Sequence, residues 1–315
     1  MTERDAPGGD ARADGRTAPG DRPVLVVGGT GDLGGRVVDQ LLARGKRVRA
    51  LVRPGSDAAR LERLGVEVVR GDMLVPGSLD PAMRGVSAVV SSAIGYSKRK
   101  KGDSLRTDFE GNRNLVEAAR RQTVPRFVLL SILRCDLARQ VPHFWAKKEA
   151  EDLLEQRGVP FVAVRPGAFL GGQSGGFLAR GVRRGKVFRM MPPGVRITFI
   201  HPDEVARALA AAAEESIGLN QRIDLGSDRP LSTEELAQTL TAVLGRTVKP
   251  GGSGTLHFLH FFARFSRSMR DYSAMFDFFA TGKYIADTTR QAKLFGPVPR
   301  VEDAARKMVR EAGLG

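Results

Sequence analysis

The chain predicts an α/β protein: a doubly wound parallel sheet followed by a smaller, mostly helical C-terminal portion. Three observations carry this prediction. Short Val-rich runs alternate with apolar-periodic stretches through the first half, the rhythm of parallel strands joined by helical crossovers. A Gly-rich turn, VLVVGGTGDLGG, joins the first run to the first helical stretch. After Pro166 the rhythm changes, and helical periodicity continues with only short apolar runs between.

The predicted strands are VLVV at 24–27, VRALV at 48–52, VEVV at 66–69, AVVSS at 88–92, RFVLLS at 126–131 and FVAVR at 161–165. Helices are expected between them at 35–44, 57–64, 78–84, 105–121 and 144–157. Strands and helices in this order make a Rossmann-type nucleotide-binding sheet. Helices at 202–213, 232–244, 256–279 and 301–312, with short strands near 197–200 and 221–225, are assigned to the smaller portion over the sheet's carboxyl edge. The expected organisation is a flexible tail at 1–21, a nucleotide-binding Rossmann domain at 22–168, and a substrate-binding portion at 169–315, partly interleaved with it. The tail assignment rests on the Gly, Ala, Pro and mixed charges of MTERDAPGGDARADGRTAPGD.

Composition removes several function classes. The one cysteine, Cys135, rules out an internal disulfide and a cysteine metal cage. No apolar run approaches the ~20 residues of a membrane helix, and the start has no apolar core, so a cytoplasmic protein is expected. The net charge of +15 invites a nucleic-acid reading. The excess is spread along the chain, however, with KRKK at 98–101 the one dense run, so nucleic acid is not an expected partner.

Gly28, Gly31 and Gly34 stand at G-x-x-G-x-x-G spacing between strand and helix. Side chains there would block the approach of a pyrophosphate to the turn and to the helix N-terminus. At the end of the second strand ALVRPGSD carries Arg53 in place of the acidic residue that accepts from an NAD ribose. With Arg36 at the start of the first helix, a guanidinium suits a 2′-phosphate, so NADP(H) is the expected cofactor. GDM at 71–73 supplies Asp72 near an adenine. Thr30, Asp32, Leu33, Met73, Ser91 and Ser92 complete the expected contacts around the first four strand ends.

GGTGDLG, VRGDMLVPGSL, NLVEAAR, RFVLLSI, WAKKEAEDLL and VRPG occur in an order that resembles the atypical short-chain dehydrogenase/reductase superfamily. The NmrA-like and isoflavone-reductase-like branches are the most similar. SILRCDLARQVPHFWAKKEAEDLLEQRGVPFVAVRPGAFL is also similar to the divinyl-chlorophyllide reductase group and to a related group of photosystem assembly factors. The resemblance spans about residues 22–245 and is specific for fold and cofactor rather than substrate.

In that superfamily a catalytic Tyr and Lys lie on the helix after the fifth strand, with a Ser at that strand's end. The resemblance therefore implies Lys147 and Ser131 at the Lys and Ser positions, with His143 in place of the Tyr. Lys147 would bind the nicotinamide ribose. The proton would come either from Lys147 itself, as implied for Tyr-less members resembling isoflavone reductase, or from His143, one helical turn earlier, which could donate near neutral pH. Asp108 stands where many members have Asn, and Pro166 would bring its loop backbone to the nicotinamide. Tyr96 and Lys100 also show the Tyr-x-x-x-Lys spacing, but they follow the fourth strand, which makes the match accidental.

The expected activity is NADPH-dependent reduction of a carbonyl or polarised double bond in a sizeable apolar small molecule, with a homodimer possible. The alternative is a catalytically silent NADP-binding sensor or assembly factor acting through protein partners, which the missing Tyr favours. Residues 256–279 concentrate Phe258, Phe261, Phe262, Phe265, Phe276, Phe278 and Phe279, as core, lid or docking surface. His257 and His260 share a helical face there without a carboxylate or thiol to complete a metal site, so no metal is expected.

Overall fold

A computed structural model describes residues 22–95, 106–173, 176–189, 191–252, 263–264 and 266–314. The predicted tail, Tyr96, Lys100, the KRKK run, His257, His260, Phe258, Phe261, Phe262 and Phe265 lie outside the described residues.

Six strands follow the predicted order: β1 (Val24–Val27), β2 (Val48–Val52), β3 (Glu67–Arg70), β4 (Ala88–Ser91), β5 (Phe127–Leu130) and β6 (Phe161–Pro166). Helices α1 (Asp32–Ala43), α2 (Ala59–Arg63), α3 (Leu79–Met83), α4 (Asn112–Arg121) and α5 (Pro142–Gln156) connect them. The stretch expected as one helix from 105 opens instead with a widened π-type turn, Thr107–Gly111, before α4.

The smaller portion adds β7 (Ala168–Phe169), α6 (Gly176–Arg183), β8 (Lys186–Val187), β9 (Phe199–Ile200) and α7 (Pro202–Ala212). It continues with β10 (Gln221–Leu225), α8 (Thr233–Leu244), β11 (Lys249–Pro250), α9 (Arg267–Ala280), α10 (Thr289–Phe295) and α11 (Val301–Glu311).

The main sheet has seven strands, ordered β10-β6-β5-β4-β1-β2-β3, and every pairing is parallel. The seventh corrects the sequence reading. Residues 221–225, assigned to the smaller portion, extend the main sheet beside β6, with Ile223 opposite Val164. Ile223 and Leu225 are buried there, and α7 returns the chain across the sheet to reach that edge.

Both faces of the sheet are covered, as side-chain alternation requires. Val24 and Val26 of β1 point into a core with Val37, Val38 and Leu41 of α1 and Val205 and Leu209 of α7. Leu25 and Val27 point the other way, toward Leu79, Met83, Leu115, Phe127 and Leu154. The chain order reverses between β1 and β4, which opens a crevice at their carboxyl ends, where a doubly wound sheet takes its ligand.

A second core joins α5 to the smaller portion. Phe144 packs edge-on against Phe278 at 5.9 Å and tilts over Tyr284 at 5.8 Å, and Phe278 and Phe279 are both buried. These two phenylalanines therefore belong to the core rather than to a lid. Helix α6 joins the same core through its fully buried Val182. Phe278→Ala should cost about 3–5 kcal/mol, the usual result of truncating a buried phenylalanine. Urea denaturation would measure it, and a loss below about 1 kcal/mol would contradict the core assignment.

Candidate functional site

The site begins where β1 stops. Gly28 adopts φ +93°, a conformation few side chains tolerate, and its carbonyl accepts from the Gly31 N–H at 2.9 Å. Helix α1 starts one residue later, leaving its first-turn N–H groups and positive dipole end at the crevice. A Cβ on Gly34 would lie 2.0 Å from the Gly28 carbonyl oxygen, and one on Gly28 would lie 3.0 Å from the Ala93 nitrogen and the Ser92 Oγ. Backbone therefore fills the space side chains would need, and the turn has the bare cradle that a pyrophosphate requires. Thr30 and Gly31 are exposed at its tip, while Leu33 is buried in the core behind it.

The β4 end forms the next wall. Ser92 Oγ donates to the Val27 carbonyl at 3.0 Å, which ties β4 to the glycine turn. Ser91 Oγ is fully buried and has no hydrogen-bond partner among the described residues. Beside β3, Asp72 closes a local turn by accepting from the Leu74 N–H at 2.9 Å. Met73 is buried, and its carbonyl accepts from Asn114 at 2.9 Å.

Arg53 and Arg36 part company. Arg53 is exposed after β2, and its guanidinium makes no ion pair among the described residues. Arg36 pairs with Asp32 at 3.1 Å, Glu311 at 2.7 Å and Asp203. Its charge is spent on three carboxylates, which removes it as a 2′-phosphate ligand. Asp32 in turn accepts from the Gln173 N–H, and Glu311 from the Gly172 N–H, both at 2.9 Å, so the 171–173 loop is tethered beside the cradle.

Helix α5 supplies the third wall. Pro142 begins it, as suits a residue without an N–H to satisfy. One turn on, the Lys147 side chain is 1% exposed, and its Nζ donates to the Ala93 carbonyl at 3.3 Å. Burial pushes the ammonium below the usual lysine value, against the pull of Asp108, Cys135 and Glu151. Asp108, buried in the π-type turn, accepts from the Gly95 N–H at 3.0 Å.

His143 lies on the same face of α5, buried beside Phe144. Burial, reinforced by the Lys147 charge, pushes its imidazole down to about 4. It is therefore neutral at pH 7, which corrects the expectation that it donates a proton near neutrality. Ser131 is committed elsewhere: its Oγ donates to the buried carboxylate of Glu151. Pro166 is buried at the end of β6, where its carbonyl accepts from the Leu133 N–H at 3.1 Å and the Tyr284 hydroxyl at 3.4 Å.

Glu151 is the residue sequence reasoning missed. It is fully buried and accepts from Arg165 through both oxygens, at 2.9 and 2.5 Å, and from Arg222 at 2.9 Å. A fork of this kind neutralises a carboxylate that would otherwise be costly to bury. Nearby Cys135 is an inert thiol, pushed up to about 12 chiefly by burial. His201, Asp203 and Glu311 gather closely enough to suggest a metal, but Arg36 already satisfies both carboxylates.

A sequence profile of the NAD(P)H-binding family matches residues 28–216. The chain belongs to this family. That match agrees with the NmrA-like resemblance and with the glycine cradle. Among curated relatives, photosystem II assembly factor Ycf39 of Synechocystis sp. is 28% identical over 286 residues, 88% of this chain and 86% of that protein. Among solved structures, Citrobacter sp. triphenylmethane reductase complexed with NADP(H) superposes with a TM-score of 0.73 at 23% identity, covering 91% of this chain and 99% of that one. The NADPH-dependent quinone oxidoreductase of Escherichia coli complexed with NADPH gives 0.75 at 21%, covering 90% and 99%. Both support the fold of this family member. No described helix is long and apolar enough to cross a membrane.

The buried histidine gives an acid-stability prediction. Its folded value of about 4 lies below the ordinary 6.5, so the unfolded chain binds more protons between these limits. The stability contributed by neutral His143 is complete above pH 6.5 and is lost as pH falls toward 4, by up to about 3 kcal/mol. His143→Gln should flatten that part of a stability-against-pH curve from urea denaturation; an unchanged slope would show that His143 does not titrate as described.

Proposed function

We propose that the protein is an NADPH-dependent reductase acting on a carbonyl or polarised double bond of a sizeable apolar molecule. The observation that carries this reading is the convergence at Ala93. Its nitrogen packs against Gly28 of the cradle, and its carbonyl receives Lys147 Nζ, so one backbone turn links the phosphate loop to a buried amine. Gly28, Gly31 and Gly34 would admit the pyrophosphate to the first turn of α1, Arg53 would meet the 2′-phosphate, and Lys147 would hold the nicotinamide ribose. Bound NADPH supplies a hydride.

Lys147 is also the proton source in this proposal. Burial makes its ammonium a stronger acid than an exposed lysine, and Asp108 and Glu151 keep part of the charge in place. His143, neutral at pH 7, would orient substrate or accept a hydrogen bond rather than deliver the proton. Turnover should therefore fall as pH rises through a midpoint below the ordinary lysine value of 10.5. A pH profile of kcat/KM with no alkaline limb below that value would contradict the role.

A second reading has its own support. The Synechocystis relative, aligned over 86% of its length, is an assembly factor, and the His143 position lacks the Tyr of ordinary members. In that reading the protein binds NADPH without turnover and acts through partners, and Lys147 serves only as a ribose ligand.

Lys147→Ala separates the two. For the reductase, NADPH affinity should fall modestly while turnover on a panel of quinones, enones and apolar ketones falls about 10²–10⁴-fold. Tight NADPH binding without oxidation of any panel member, together with a partner copurifying in constant ratio, would favour the assembly reading.

Arg53 tests the cofactor. NADPH should bind more tightly than NADH, and Arg53→Asp should remove about 1.5–3 kcal/mol of the difference, the value of a hydrogen bond to a charged group. Equal affinities in the parent protein, measured by fluorescence titration, would end the NADPH assignment.

A further inference from the structure

A second concavity lies in the smaller portion and shares no residue with the cofactor cradle. Helix α6, strand β8 and the residues after β11 enclose a cleft of about 500 Å³. Val187 is buried and Phe188 half-buried in its wall, while Arg180, Arg184 and Lys186 are exposed around it. Glycines set the spacing of the walls: a Cβ on Gly181 would lie 2.7 Å from the Lys186 carbonyl, and one on Gly251 would lie 2.8 Å from the Val187 carbonyl.

The two chain segments that line this cleft carry positive charge only. From Gly176 to Arg189 the chain carries Arg180, Arg183, Arg184, Lys186 and Arg189 without a carboxylate, and 246–252 adds Arg246 and Lys249, again without one. Glu234 pairs with Arg189 at 2.7 Å. Arg183 and Arg246 donate to the carbonyls of Ala312 and Val182. The side chains of Arg180, Arg184 and Lys186 make no hydrogen bond or ion pair among the described residues. Arg184 directly follows the last residue of α6, about one turn beyond Arg180, a spacing at which like charges repel. An anion between them would relieve that repulsion, and the Val187–Phe188 wall would cover an apolar body attached to it.

We propose that this cleft binds a small amphiphilic organic anion, a carboxylate or phosphate carried on an apolar chain or ring. Calorimetric titration of the full chain with monomeric laurate, NADPH present, tests the proposal. Laurate should bind, and Arg180→Gln with Arg184→Gln should weaken it about tenfold or more through loss of charge-assisted hydrogen bonds. NADPH affinity and Tm should hold in that variant, and Lys186→Gln, at an exposed position, gives an independent test should the double variant fold poorly. Acetate, lacking the tail, and decyl maltoside, lacking the charge, should not compete. Absence of laurate binding, indifference to both sets of substitutions, or competition by acetate equal to laurate would overturn the proposal. So would association with phosphatidylglycerol vesicles but not with monomeric laurate, which would make the face a membrane-docking surface.

Discussion

The carbonyl of Gly28 stands where no β-carbon could be placed on Gly34, and the rest of the nucleotide crevice is arranged around that contact. It brings α1 against the end of β1 and sets where the helix N-terminus lies. The same residue packs on Ser92 and Ala93, so β4 is registered against β1 by backbone contact as well as by the sheet ladder. Lys147 then reaches the Ala93 carbonyl from α5. Three crossover units of the sheet thus meet at one turn, and a side chain at either glycine would displace them all.

A second, electrostatic constraint lies behind the first. Glu151 is buried one helical turn beyond Lys147 and is held by Arg165 from β6, Arg222 from β10 and Ser131 from the end of β5. Removing one partner of such a cluster leaves buried charge uncompensated, which usually costs about 3–5 kcal/mol. The cluster fixes the pitch of α5 against three adjacent strands. Through that helix it bears on Lys147 and His143, which is why a residue outside the crevice matters to its shape.

Much of this was legible in the sequence because it is local. The six Val-rich runs, the glycine spacing and the strand-end position of Arg53 depend on neighbours a few residues away, and the strands formed within a residue or so of their expected limits. What was missed depends on partners that arrive from afar. KKEAED reads as a solvated helix face until Arg165 and Arg222 close over Glu151. Residues 221–225 are half polar and reveal their place only through β6, some 60 positions earlier. Arg36 looks like a phosphate ligand until Asp203 and Glu311 fold onto it, and the acidity of His143 follows from burial that periodicity alone did not disclose.

The Arg36 cluster also bears on how the molecule is made. Glu311, which pairs with Arg36 and receives the Gly172 N–H, is translated long after Asp32 and Arg36. On the ribosome, α1 can settle on β1 and β2 long before its outer face has its full set of counter-charges. Until α11 has emerged, Arg36 has at most Asp32 and Asp203, and Gly172 lacks its carboxylate. The edge of the nucleotide crevice that begins at α1 is thus completed only once α11 is present, so a chain that stops short of α11 lacks part of this set of counter-charges.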